Sequence, residues 1–240
     1  MPLEDIEEQK LRSRIRELAR SHVRWGRRLA YRRLRLEGWT VNHKRVQRIW
    51  REEGLQRPQP GQRKRTRPSD GSRTLLRAEY PHQVWAIDFP FDQTMDGRRL
   101  KFLSIIDEYS RLRLVIRLGW SCKAVDLIAA IEELPGEHPA PTHLRMDNGP
   151  EFIAHALQEW CTGNGSVTEY VPLGSPWQNP IVESFNSRFR DGFLNIELFT
   201  SLVEARLLAE QHRIEYKVYR AHSDLQGRTS LEGLQQWKAA

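Results

Sequence analysis

The chain has 240 residues, 39% of them hydrophobic and 29% charged, which suits a globular protein with one sizeable domain and a small one. No apolar run approaches the roughly 18 residues of a membrane span, and the polar, acidic start is unlike a secretory leader, so a cytoplasmic protein is expected. Only two cysteines occur, Cys122 and Cys161, in no C-x-x-C pair, which argues against a disulfide framework or a cysteine-based zinc site and for two ordinary thiols of a reducing compartment.

The net charge of +7 is unevenly spread: residues 1–80 hold 22 Lys and Arg against 10 Asp and Glu, and residues 81–240 hold 16 against 21. A basic front joined to a mildly acidic body points to a nucleic-acid-binding segment attached to something else. Residues 1–55 read as a helical domain. Leu11, Ile15 and Leu18 recur at helical spacing, and Leu29 with Leu34 or Leu36 marks a second helix that ends near Gly38 as its C′ residue. Asn42 is a good N-cap for a third helix, which turns Val46, Ile49 and Trp50 inward and ends at Gly54. The last two helices, joined across residues 38–41, read as a helix-turn-helix. The third helix turns outward a basic face on which Lys44, Arg45, Arg48 and Arg51 are candidate DNA contacts. His22 and His43 have no cysteine partners nearby and read as polar helix residues.

Residues 56–77 form a basic linker, rich in Pro, Gln and Arg and without apolar residues until Leu75, suited to lying along phosphates. Residues 78–240 form a mixed α/β core. Strands are expected over 84–91, 100–106, 112–118, 143–146 and 167–171, with a hairpin signal at Asp96-Gly97. Helices are expected over 123–134, 151–161, 180–194 and 202–216.

Three acids stand out in this core. Asp88 interrupts an apolar strand, where a lone charge is costly unless paired or metal-bound. Asp147 follows a short strand, at the kind of strand end where α/β folds place ligands. Glu183 lies early in a helix with Asn179 as N-cap and Pro180 as its first residue, and Ser187 and Arg190 share its face. Acids converging from separate elements are what a two-metal phosphodiester site needs. The chain has 31 acidic residues, and by spacing alone Asp107, Glu108, Asp126 or Glu151 would serve as well.

The surrounding motifs carry a resemblance. Trp85-Ala86-Ile87-Asp88-Phe89, the run from Asp107 to Arg111, Asp147-Asn148-Gly149-Pro150-Glu151-Phe152, Pro176-Trp177-Gln178-Asn179 and Glu183-Ser184-Phe185-Asn186 stand in order, with 35 residues between Asp147 and Glu183. In these, and in the segment from Tyr31 to Val46, the chain resembles bacterial insertion-sequence transposases with a retroviral-integrase-like core, in particular the downstream-reading-frame protein. It departs at Pro180, where the family has Gly, and at Lys217, Ala221 and Ser230 near the C-terminus.

The resemblance implies a ribonuclease H-like fold, a mixed five-stranded sheet with flanking helices, behind the small helix-turn-helix-like domain. It implies two Mg²⁺ ions, with Mn²⁺ as a substitute, held by Asp88, Asp147 and Glu183 for DNA strand cleavage and strand transfer. Asn148, Ser187 and Arg190 are implied as further nucleic-acid contacts. The implied partners are DNA (element ends and target), further copies of the chain on DNA, and the upstream-frame protein, joined by frameshifting near Met1. The implied location is the bacterial nucleoid. Two alternatives stay open: a stand-alone nuclease of the same fold, and an inactive or regulatory DNA-binding partner of the fusion transposase.

Overall fold

A computed structural model describes residues 3–56, 76–134, 136, 138–147, 149, 155–171 and 180–239. Most of the expected linker, and the segments around Asn148 and Asn179, lie outside the described residues. The chain divides into two compact units, one of Met1–Pro68 with Tyr219–Arg228, the other of Ser69–Val218 with Thr229–Ala240.

The first unit is three helices, α1 (Leu3–Ser21), α2 (Arg27–Leu36) and α3 (His43–Glu52). The residues predicted from spacing form its core: Leu11, Ile15, Leu18, Leu34, Val46, Ile49 and Trp50 are buried together. Helix α2 stops where Gly38 takes φ +86°, a left-handed backbone that L side chains resist, and Trp39 N–H closes back onto Leu34 O at 2.9 Å. Helix α3 starts at Asn42, whose side chain accepts from the Lys44 N–H at 2.9 Å. One contributor comes from far along the chain. Tyr219 packs against this core, its ring 3.5 Å beneath the Arg33 guanidinium and its hydroxyl 3.2 Å from Arg14.

The second unit is built on a mixed sheet of β1 (Val84–Asp88), β2 (Phe91–Gln93), β3 (Arg99–Asp107), β4 (Arg113–Gly119), β5 (His143–Asp147) and β6 (Val167–Val171). Strand β3 runs antiparallel to β1, β2 and β4, while β1, β5 and β6 are parallel neighbours. The sheet has six strands where five were expected, because the first does not continue to residue 91. Pro90 has no N–H to offer the ladder; its carbonyl accepts from Phe102 N–H at 2.9 Å, and the chain resumes as β2 along the next stretch of β3.

Helices cover both faces. On one face α4 (Ala124–Glu132), α5 (His155–Gly163) and Leu234 of α8 (Ser230–Lys238) bury Trp85, Ile87, Leu103, Ile105, Leu144 and Met146. On the other, α6 (Pro180–Phe189), the π-helical turn Arg190–Leu194 and α7 (Leu202–Val218) bury Ala86, Phe102, Ile106, Ile116 and Leu118. Odd and even strand residues thus go to opposite layers, as pleating requires. Cys122 and Cys161 are free, buried thiols. Helix α8, which hydrophobic spacing did not announce, is started by a capping box between Thr229 and Glu232.

Two buried arginines tie this unit together. Arg113 of β4 places its guanidinium 3.9 and 4.4 Å over the rings of Phe185 and Phe189 on α6 and 2.9 Å from His212 on α7. Arg145 of β5 gives Nη1 to both carboxylate oxygens of Glu108 at 2.7 Å, and Nη2 to Glu169 at 2.9 Å and to Leu76 O at 2.7 Å. Its side chain is 3% exposed and that of Glu108 is 1%. Removing one member of a buried pair leaves the other charge in low dielectric. Glu108→Ala is therefore expected to destabilise the protein by about 3 kcal/mol in urea unfolding; a loss below about 1 kcal/mol, typical of an exposed pair, would contradict this account.

Candidate functional site

The strand register brings Asp88 and Asp147 together. Trp85 and Ile87 enter one core layer and Ala86 the other, so Asp88 shares the face of Ala86. Leu144 and Met146 likewise leave Arg145 and Asp147 on that same face. Ala86 is level with Arg145 in the parallel β1–β5 pair; beyond the last paired residues the two strands carry Asp88 and Asp147 on the same side, and the charge of Asp147 is felt at Asp88. Both stand at C-terminal strand ends. Helix α6 packs on this face through Val182, Phe185 and Phe189, and carries Glu183 in its first turn.

The electrostatics agree with this placement. Burial pushes the Asp88 carboxyl up to about 6, and the charges of Asp147 and Glu183 push in the same direction. The Phe89 backbone N–H and the Asn186 side chain work against them. Asp147 and Glu183 are exposed, and Asp88 is partly so. Asp147 Oδ1 accepts from Gly149 N–H at 2.9 Å.

Asn186 carries no sequence signal of its own beyond its place in Glu183-Ser184-Phe185-Asn186. Its Nδ2 donates to Asp88 Oδ2, and it sits three residues after Glu183, on the same helix face. Its Oδ1 is buried without a hydrogen-bond partner among the described residues. Ser187 and Arg190 are exposed, and Arg190 Nη2 donates to Phe91 O at 3.1 Å. Asn148 lies outside the described residues.

The rival acids have structural work. Asp107 is fully buried and accepts from the backbone N–H of His82 and of Ser110, each at 3.1 Å. Glu108 pairs with Arg145, and Asp126 caps α4 by accepting from Lys123 N–H at 2.7 Å. Glu151 lies outside the described residues.

Among the described residues, no three His, Cys, Asp or Glu side chains are drawn tightly enough together to hold a metal ion as they stand. The donor set nevertheless fits a divalent cation: a carboxylate raised by burial and by two like charges, beside an amide oxygen lacking a partner, is relieved by a cation and its water.

In the first unit, the exposed side of α3 carries Lys44, Arg48 and Arg51, with Arg45 half-buried. Arg45 and Arg48 are ion-paired to Glu8 of α1, at 2.6 and 2.8 Å. No helix among the described residues is long and apolar enough to cross a membrane.

The chain matches two models described as integrase core domain, over residues 78–176 and 164–229, and an HTH-like domain over residues 6–63. It is 34% identical over 221 residues to an uncharacterized 31.7 kDa protein of insertion element IS407 from Burkholderia multivorans, covering 92% of this chain and 79% of that one. It is also 34% identical over 215 residues to an uncharacterized 39.2 kDa protein of insertion element IS476 from Xanthomonas euvesicatoria, covering 90% of this chain but only 62% of that one.

Two solved structures share the fold. The HTLV-2 integrase catalytic core domain in complex with magnesium (trimeric form) aligns with a TM-score of 0.52 at 17% identity, over 65% of this chain and 98% of that chain. A simian T-cell lymphotropic virus intasome in complex with PP2A regulatory subunit B56 gamma gives 0.54 at 13%, over 80% and 66%. The expected mixed α/β, ribonuclease H-like class is thus that of integrase catalytic cores.

The raised Asp88 carboxyl has a consequence for stability. Between its ordinary value of 3.8 and about 6, the folded state keeps a proton that the unfolded chain has released, so stability falls as pH rises through that window. Asp88→Asn removes the penalty and keeps an acceptor for Asn186. Without divalent ions, the variant is expected to be more stable than wild type by about 1–3 kcal/mol near neutral pH and by little below pH ~4. Urea unfolding at both pH values checks this; an equal gain at both would refute it.

Proposed function

The chain belongs to the insertion-element transposases with an integrase-like core, and from that premise we propose that Asp88, Asp147 and Glu183 hold two Mg²⁺ ions (with Mn²⁺ as substitute) for cutting and joining DNA. The observation carrying this reading is that Asp88 and Asp147 end neighbouring parallel strands, with the charges of both Asp147 and Glu183 felt at Asp88. Divalent metal bound there supplies Lewis acidity, activating the attacking oxygen and neutralising charge on the leaving one.

The chain's own residues do the rest. Asp88 and Asp147 provide oxygens from a rigid sheet, and Glu183 closes the set from α6. Asn186 orients Asp88 through its amide N–H. Arg190, held to β2 through Phe91 O, and Ser187 are exposed to meet a phosphate, and Asn148 is a further expected contact. The attacking group is water for cleavage and a DNA 3′-OH for strand transfer, so no covalent protein–DNA intermediate forms. DNA is then both substrate and partner, bound also through α3. Two element ends call for more than one copy of the chain, and the place of action is the nucleoid.

The test is strand joining between a labelled duplex with a free 3′-OH end and a supercoiled plasmid, in Mg²⁺ or Mn²⁺. It is run with the chain alone and with its frameshift fusion to the upstream frame. Asp88→Asn, Asp147→Asn and Glu183→Gln are each expected to abolish joining while leaving duplex affinity intact; wild-type rates in any one would remove that residue from the site. Cleavage without joining would indicate a nuclease, and joining by the fusion alone would assign end recognition to the upstream frame. Asn186→Ala is expected to lower metal affinity or rate by about 10–100-fold. Calorimetric Mg²⁺ titration separates the two effects, and wild-type values in both would reduce Asn186 to a packing role.

A further inference from the structure

Helix α3 does not offer all its basic residues equally. Arg45 gives Nε and Nη2 to Glu8 Oε2 at 2.9 and 2.6 Å, and Arg48 gives Nη2 to Glu8 Oε1 at 2.8 Å and Nη1 to Glu52 at 3.0 Å. One carboxylate on α1 thus engages two neighbouring guanidiniums of α3. Glu8 is itself mostly covered, its side chain 21% exposed. The side chains of Lys44, Gln47 and Arg51, by contrast, make no hydrogen bond or ion pair among the described residues. With spacings of three and four they share one face of α3, lining a hollow that also takes in His43, the Glu8-paired Arg48 and Glu52.

Resting on the reading of α3 as a DNA-contacting helix, we infer that Glu8 is an internal stand-in for DNA phosphate. It withholds Arg45 and Arg48 from the backbone and leaves Lys44, Gln47 and Arg51 to meet duplex DNA. Sequence-independent affinity comes from cations that neutralise phosphates and release counterions. Two arginines that share the charge of Glu8, one of them also paired with Glu52, add less to it than free ones, because a phosphate must first displace Glu8 and leave that charge unpaired beside the DNA. Glutamine and arginine on the free row are the side chains that read adenine and guanine edges in the major groove. Glu8 therefore suppresses binding to random DNA more than to the correct sequence, which is discrimination by a repulsive element.

The test measures binding of the full chain to a short labelled duplex of random sequence by fluorescence anisotropy, as a function of salt. Glu8→Gln is expected to bind about 10-fold more tightly at low salt, with the slope of log affinity against log salt steeper by about 1–2. Glu52→Gln, which frees one side of Arg48, steepens it by about 1 or less. Lys44→Ala and Arg51→Ala make it shallower by about 1 each, whereas Arg45→Gln leaves the wild-type slope unchanged. An unchanged slope in a folded Glu8→Gln overturns the inference. If that variant fails to fold, Arg45→Gln decides: a shallower slope shows that Arg45 already contacts phosphate and overturns it equally. A wild-type chain that binds no duplex at any salt overturns the reading of α3 itself, a result distinct from either.

Discussion

Two like charges at the ends of neighbouring parallel strands are the constraint around which the second unit is organised. Burial does most to disfavour charge on Asp88, and repulsion by Asp147 and then Glu183 adds to it. A fold left to itself would relax such an arrangement, and here the freedom to relax is removed on every side. The strand register is fixed by apolar layers above and below, since a one-residue slip would turn Trp85 and Leu144 out of their core. Arg145, two residues before Asp147, is anchored in turn by Glu108, Glu169 and a backbone carbonyl. Helix α6 is held down by its own phenylalanines and by the Arg113 guanidinium lying over them. The strain of the site is carried by unstrained packing around it.

The first unit handles charge in the opposite way. Its cations are abundant, and its acids disperse them into specific pairs. Arg12 and Arg16 of α1 reach Glu53 at the end of α3, Arg14 and Arg33 share Glu37, and Arg45 and Arg48 share Glu8. These partly exposed pairs contribute little to stability individually. Their effect is to fix which basic side chains are committed within the unit and which are available, a distinction that net charge does not reveal.

Much of this was legible in the sequence, and the failures have physical reasons. Helical spacing found α1 to α3, and Asn42 and Gly38 marked their ends because capping and left-handed turns depend on local chemistry. Short apolar runs bounded by turn residues found β1, β3, β4, β5 and β6 and put Asp147 at a strand end; they place Asp88 within a longer strand, and it stands at a strand end because β1 stops before Pro90. Strand β2 is three residues long and shows no period, and only its pairing with β3 makes it a strand. Helix α8 was within reach through its Thr-x-x-Glu box, and Asn186 through its spacing from Glu183, but hydrophobic periodicity weights neither. The pairing of Glu8 with Arg45 and Arg48 spans 37 and 40 residues and has no local signal. The same holds for the buried pair of Glu108 and Arg145 and for Tyr219.

The position of Tyr219 bears on how the protein is made. The three helices are encoded ahead of the sheet, yet residues 219–228 belong to their unit, and its core gains Tyr219, its ring tilted against Trp25 and His22, from more than 150 residues downstream. On the ribosome the three helices can collapse early, but the unit cannot be completed until residues 219–228 have emerged. The usual order, in which an N-terminal domain finishes folding before its successor is synthesised, does not apply. Closing so long a loop carries an entropic cost that a short helical bundle ordinarily avoids. Until then Tyr219's place beside Arg33 stays unfilled, and a nascent chain arrested before Tyr219 would present an unfinished helical unit to chaperones and proteases.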